Sequence, residues 1–252
     1  MTATKYYFPS RIIEAMGIPF IIKLATKNYD EVTQDIFHQT CYSVEKEIAE
    51  IIEEPYPFRG SSLISEFQNN NDDSVDYDTF QSVIDQVKIS SRVTNRAFLS
   101  HKLDEDSHNL LKGWTIERIF EKDLCPLLGN SEISGISLGG SGDMRVATKK
   151  DDDFYWKIGI KNPGNPQMMT GYYLKNGAVS TSVAEKNNPD NSIQQVTVFS
   201  NDLVGADIWS VTGASVGMEK FSRIIWKSKL TGILFDCNQG GIPFRDGILG
   251  RA

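Results

Sequence analysis

Asp207 stands in the run Ala206-Asp207-Ile208-Trp209-Ser210-Val211-Thr212, a carboxylate followed by hydroxyls three and five positions on. Oxygen donors of this kind suit Mg²⁺, a hard ion that keeps several waters beside substrate phosphates. An Asp near the start of a helix also serves as a cap, and the residues alone leave both readings open. Lys112 closes a second such segment, Asp106-Ser107-His108-Asn109-Leu110-Leu111-Lys112-Gly113-Trp114. Asp106 to Asn109 are natural cap and first-turn residues, while a helix N-terminus with a lysine also suits an anionic ligand. Gly139-Gly140-Ser141-Gly142-Asp143 is glycine-rich, which suits a tight turn or a close backbone approach to phosphate. It matches neither dinucleotide-binding nor P-loop spacing. The three histidines, His38, His101 and His108, form no HExxH motif and suit structural or exposed roles. Cys41, Cys125 and Cys237 form no CxxC pair, which argues against structural zinc and agrees with a reducing compartment.

The elements that must position these groups follow from periodicity. Tyr6 to Ala25 mixes aromatic and β-branched residues around Gly17 and Pro19, predicting strands joined by a turn. Val32, Ile36, Phe37, Thr40, Val44, Ile48 and Ile51 recur at helical spacing, predicting a helix over Asn28 to Glu53 that ends at Pro55 and Pro57. Arg59 to Tyr77 reads as loop. Asp78 to Val87 and Leu110 to Leu128 read as amphipathic helices. After Gly129 short runs alternate with Gly, Asn, Asp and Pro. They predict strands over Ile133 to Leu138, Met144 to Ala147, Tyr155 to Ile160, Met168 to Leu174, Ala178 to Ser182 and Ile193 to Phe199. Asp207 to Val216 and Met218 to Lys227 read as helices, and Gly232 to Asp236 with Gly240-Gly241 as a last strand and turn. The whole predicts an α+β fold in one domain over 1–252, its helix-rich N-terminal half packed on a mainly antiparallel sheet.

The chain has 252 residues, a net charge of −7 and a pI near 5.1. This acidity argues against a general nucleic-acid binder, which needs a basic face. The first residues lack a signal-peptide core and the apolar runs are too short to span a bilayer. The expectation is a cytoplasmic protein without a membrane anchor.

Taken in order, these segments resemble the motif series of the ApbE family of FAD:protein FMN transferases, over about Ile13 to Gly217. Ala15-Met16-Gly17-Ile18-Pro19-Phe20 resembles the family's "MGTp" opening, and Phe58 to Gln68 its "Y..dS.ls.fN" segment. Asn95 to Phe98 resembles part of "GGaFDpT", and Asp106 to Glu117 resembles "DlggiaKGyavD". Ile136 to Asp143 resembles "nlGGD", Trp156 to Pro163 "WrvGIkdP", and Gly177 to Ser182 "gavATSG". Val196-Thr197-Val198 with Ala206-Asp207 resembles "vTV…AD.lsTa".

The resemblance implies an ApbE-like, T-fold-like architecture and a Mg²⁺-dependent transferase. FAD would be the substrate, and FMN would pass to a Thr or Ser hydroxyl of an acceptor flavoprotein as AMP leaves. It implies that Asp207 and Lys112 are catalytic, and that Asp207, Asn109 and Thr212 hold the metal. It implies FAD contacts at Met16, Phe58, Ala97, Phe98, Leu99, Asp106, Lys112 and Ile193. The chain departs from the pattern in four places. The metal-binding Thr of the family falls, without a gap, on Val211, with Thr212 one residue on. The carboxylate of "GaFDpT" is lost in Ala97-Phe98-Leu99-Ser100-His101. Ser182 is followed by Val183 in place of Gly. The "H.idP.tG" segment shortens to Asn187 to Ile193 and loses its histidine. These departures keep two alternatives open: a non-catalytic FAD or FMN binder of the same fold, and a pyrophosphatase that splits FAD to FMN and AMP.

Overall fold

A computed structural model describes residues 5–53, 112–184 and 191–250, and the structural statements that follow concern these. The chain opens with a hairpin of β1 (Ser10–Ala15) and β2 (Ile18–Thr26), paired from Ser10↔Lys23 to Ala15↔Ile18. Two residues, Met16 and Gly17, turn it, both at positive φ (53° and 73°). That is the twist a two-residue hairpin needs. Helix α1 (Glu31–Glu53) follows. Its Phe37, Cys41, Val44, Ile48 and Ile51 recur at helical spacing and all are buried against the sheet. Burying each such side chain contributes roughly 1.5–3 kcal/mol before entropy is counted. Asp30 caps the helix, its Oδ1 accepting from the Thr33 backbone N–H at 2.9 Å.

Helix α2 covers 112–119 among the described residues. The sequence predicts one amphipathic helix to Leu128, but the α-helical run stops sooner. It widens to a π-helix over Phe120–Leu124 and tightens to a 3₁₀-helix over Cys125–Gly129. Pro126 explains this: it has no N–H to donate to the preceding turn, and its ring crowds that turn's carbonyl.

The remaining strands are β3 (Ile133–Gly140), β4 (Asp143–Thr148), β5 (Trp156–Asn162), β6 (Asn165–Leu174), β7 (Gly177–Val183), β8 (Ile193–Ser200), β9 (Thr231–Asp236), β10 (Gly240–Arg245) and β11 (Ile248–Leu249). Helices α3 (Leu203–Val216) and α4 (Met218–Ser228) lie between β8 and β9. Nine strands form one antiparallel sheet in the order β1-β2-β3-β4-β7-β8-β9-β10-β11, with β5-β6 as a separate hairpin. The fold is α+β with a large antiparallel sheet. Gly240-Gly241, expected as a turn, instead opens β10, and the turn falls just before it.

The molecule has three layers. On one face, α1, α2 and α3 share a core with Phe20, Ile22, Leu24, Ile136, Leu138 and Ala178. On the same face α4 covers Val196, Val198, Leu234 and Phe244. On the opposite face the β5-β6 hairpin buries Phe154, Trp156, Ile158 and Ile160 against Val146, Val179, Ile233 and Phe235. Gly135 permits that approach, since a Cβ there would sit 2.9 Å from the Phe154 ring. Phe235, Ile242 and Phe244 are buried, matching their expected packing role. Among the described residues no helix is long and apolar enough to cross a membrane.

Candidate active site

Four elements meet on the helix-covered face near the β3–β4 turn. The turn itself holds two residues, Ser141 and Gly142, between the paired Gly140 and Asp143. Both have positive φ, 50° and 94°, so the glycine-rich run is a tight hairpin turn. Gly139 and Gly140 keep it close to its neighbours. A Cβ on either would come within 2.9 Å of the Asp143 carbonyl or 3.0 Å of the Pro19 carbonyl, respectively.

Asp143 opens β4 and is 4% exposed. Its carboxylate makes an ion pair with the Lys112 ammonium, which is itself nearly buried on α2. The lysine is thus held by the carboxylate that ends the glycine-rich turn and the segment resembling "nlGGD". Next door is β7, whose alternation turns Ser180 and Ser182 toward α3. Met144 and Val179 are paired, so Asp143 and Ser180 are the next residues along their strands.

Asp207 lies on α3 and is 6% exposed. It is not the cap of that helix. Asp202 is, its Oδ1 accepting from the Gly205 N–H at 2.7 Å. Asp207 sits more than a turn inside, facing the sheet. Ser180 Oγ donates to Asp207 Oδ1 at 3.3 Å, and Ser210 Oγ donates to the Asp207 carbonyl at 3.0 Å. Ser210 Oγ also lies 3.0 Å from Ser180 Oγ and 2.8 Å from Ser182 Oγ. Three hydroxyl protons serve four contacts, so one contact has no proton of its own and oxygen lone pairs stay available. The donor set is all oxygen with a carboxylate in it, and it fits Mg²⁺. Among the described residues no group of three or more His, Cys, Asp or Glu side chains is placed to hold a metal. One carboxylate completed by hydroxyl, water and phosphate oxygens is a normal set for that ion.

Glu117 ties these elements together. Its Oε2 accepts from Arg145 Nε on β4 at 3.1 Å, and its Oε1 accepts from the Leu203 N–H at the start of α3. Glu117 shares α2 with Lys112, so one carboxylate joins the carriers of Lys112, Asp143 and Asp207. Burial pushes its carboxyl above the usual range, and the Arg145 charge offsets this only in part.

The other expected site residues fall as follows. Val211 is one turn beyond Asp207 on the same face of α3, half-buried against the first core. Thr212 is about 140° round the helix from Asp207. It is fully buried, with Oγ1 lacking a hydrogen-bond partner, and the structure does not bring it to Asp207. Met16 is in the β1–β2 turn, half-buried against the first core. Ile193 is 2% exposed within the core under α4, so its side chain packs there instead of facing the Asp207 hydroxyls. Phe58, Ala97, Phe98, Leu99, Asp106 and Asn109 lie outside the described residues, as does most of the shortened segment before Ile193. Asp143, Ser180 and Glu117 were not expected as site residues. The strand pattern around Gly177 to Ser182, which puts both serines on one face, was the available signal for Ser180.

No protein-family model and no curated protein sequence matches the chain. Solved structures do. The flavin transferase ApbE from Vibrio cholerae superposes with a TM-score of 0.64 at 14% identity, covering 96% of this chain and 98% of that one. The flavinyl transferase ApbE of Pseudomonas stutzeri, in its apo form, gives 0.64 at 13% identity, over 98% and 96%. The apbe protein of Thermotoga maritima gives 0.61 at 14%, over 98% and 97%. The chain shares the fold of these proteins along nearly its whole length.

Proposed function

We propose that this protein is a flavin transferase, moving FMN from FAD to a Thr or Ser hydroxyl of an acceptor flavoprotein with release of AMP. The observation that carries the reading is the meeting of Asp207, its serine hydroxyls and the Lys112–Asp143 pair on one face of an ApbE fold. The acceptor oxygen forms a bond to the phosphorus on the FMN side. The bond from that phosphorus to the bridging oxygen breaks, AMP carries the bridging oxygen away, and the hydroxyl proton passes to solvent. Asp207 with Ser210 would hold Mg²⁺, which supplies charge neutralisation at the pyrophosphate. Lys112 would bind a pyrophosphate oxygen. Its pairing with Asp143 fixes the ammonium before substrate arrives, so little reorganisation remains. Positioning and charge are most of what phosphoryl transfer needs from a protein. Phe58, Ala97 to Leu99 and Asp106 complete the FAD pocket in this reading, and the acceptor is cytoplasmic.

Val211 favours a second reading, a flavin binder without transfer, because it places an apolar side chain where the resemblance expects a metal-binding hydroxyl. Incubating the protein with FAD and MgCl₂, with and without a candidate acceptor, separates the readings. Transfer gives AMP and an acceptor heavier by one esterified FMN. AMP without acceptor modification indicates pyrophosphatase chemistry. Tight FAD binding without AMP supports the binder.

A further inference from the structure

Strand β1 is one edge of the nine-stranded sheet, and among the described residues it pairs with β2 alone. Tyr7, just before it, exchanges both backbone hydrogen bonds with Thr26, each 2.9 Å long, and the same register runs on to Ala15↔Ile18. Antiparallel pairs alternate between residues that exchange hydrogen bonds and residues that do not. Arg11, Ile13 and Ala15 therefore turn their N–H and C=O groups toward β2, and Ser10, Ile12 and Glu14 turn theirs outward. None of the three is proline, and the β1 register carries no bulge. Such an edge is a template for pairing with another chain.

The side chains of this edge suit a second copy of itself. Ile12 is 58% exposed and lies opposite Ile21 of β2, itself 38% exposed. A two-fold axis perpendicular to the sheet at Ile12 sets Ile12 against Ile12 of the second copy, and Ser10 against Glu14. Every outward backbone group of Ser10, Ile12 and Glu14 then has a partner. The isoleucines make one apolar row across the junction, Ile21 and Ile12 of each copy.

The charges match in the same register. Ser10 has Lys23 opposite it on β2. Glu14 of the second copy therefore lies two strands from Lys23, about 10 Å away between backbones. Only the small Ser10 side chain stands between, so the carboxylate and the ammonium can meet over it. Neither Glu14 nor Lys23 has an ion-pair partner among the described residues. Sliding the copies by two residues sets Ile12 against Glu14 or against Ser10 and loses both matches, so the pattern specifies the register. On the helix-covered face Arg11 reaches Glu45 of α1 at 3.2 Å, so α1 flanks this edge. Tyr42, three residues before Glu45 and on the same side of the helix, is 71% exposed and adds apolar surface there.

We infer that β1 pairs with β1 of a second copy of this chain, antiparallel and centred on Ile12, to make one continuous sheet across a two-fold dimer. Sedimentation velocity of the full chain, from micromolar to millimolar concentration, should show a monomer–dimer equilibrium. Glu14→Lys acts twice by symmetry and should weaken association about tenfold. Glu14→Lys/Lys23→Glu reverses the charge pair and should restore it. Hydrogen-bonded antiparallel pairs hold their Cα atoms about 5.5 Å apart, within disulfide reach. With the exposed Cys237 replaced by Ser, mild oxidation should therefore cross-link Ile12→Cys into a covalent dimer and leave Ser10→Cys monomeric. A monomer at every concentration overturns the inference. So does a dimer that Glu14→Lys leaves intact, or one that the charge reversal fails to rescue, or equal cross-linking of the two cysteine variants. Growth beyond the dimer would mean that β1 pairs with the β11 edge in open head-to-tail chains, and would overturn the two-fold pairing.

Discussion

Lys112 and Asp143 place opposite charges in a nearly dry position, and removing one leaves the other uncompensated. Asp143→Asn should lower unfolding free energy by about 3 kcal/mol, measurable from urea midpoints, and should weaken FAD binding because the lysine loses its anchor. Unchanged stability would mean that the pair is open to water. In the proposed reading Ser210 supplies the hydroxyl that the family pattern places at the position of Val211. Ser210→Ala should raise the Mg²⁺ concentration needed for half-maximal AMP release, and Val211→Thr should lower it. If neither moves that concentration, this stretch of α3 does not hold the metal. At this scale the sequence made Asp207 and Lys112 visible, since each sits in a run with recognisable spacing. Asp143, Ser180 and Glu117 fall inside the quoted segments, but their contacts join elements far apart in the chain, and local spacing does not show those. Thr212, a hydroxyl near Asp207 in sequence, is turned off the face that Asp207 uses.

Helix α1 was legible because its apolar positions recur at 3.6 residues and its acids fall between them. The predicted helix over Asp78 to Val87 lies outside the described residues, and α2 was legible only in part. Pro126 made the end of α2 irregular, and the amphipathic pattern ran through the change without marking it. The two helices are joined by Glu47, which accepts from Arg118 Nε at 2.8 Å and pairs with Lys122. Burial acts to raise its pKa, but the hydrogen bonds and charges of Lys122 and Arg118 outweigh burial and hold it below the usual 4.5. A depressed folded pKa adds stability above the unfolded value, and that stability is lost as pH falls through the folded pKa. Wild type should therefore exceed Glu47→Gln in stability at neutral pH by a constant margin, and the margin should shrink as pH drops below about 4.5. Thermal melts across that window check it. A margin that is flat throughout, or grows on acidification, would contradict the role given to Glu47.

Across the whole molecule, one sheet carries the first and last described strands, with helices on one face and a hairpin on the other. The strand runs and the α+β class could be read from turn residues and alternation. The order of strands could not, because pairing such as β4 with β7 across the β5-β6 excursion leaves no periodic mark. Close layer contacts give a test of this packing. A Cβ on Gly232 would sit 2.1 Å from the Thr197 carbonyl and 2.6 Å from the Phe244 ring, whereas Gly129 has open space. Gly232→Ala should cost about 3 kcal/mol, and Gly129→Ala should change stability by less than about 1 kcal/mol. Denaturant titration of both variants would detect an equal effect, which this packing excludes. The central claim is chemical, and one measurement reaches it most directly: AMP release and acceptor mass, followed with FAD, MgCl₂ and a flavoprotein acceptor, for wild type, Asp207→Ala and Lys112→Ala. The account predicts AMP together with one esterified FMN on the acceptor for wild type, and loss of both in the two variants. AMP release that persists unchanged in both variants, or a wild type that binds FAD yet never modifies an acceptor, would contradict it.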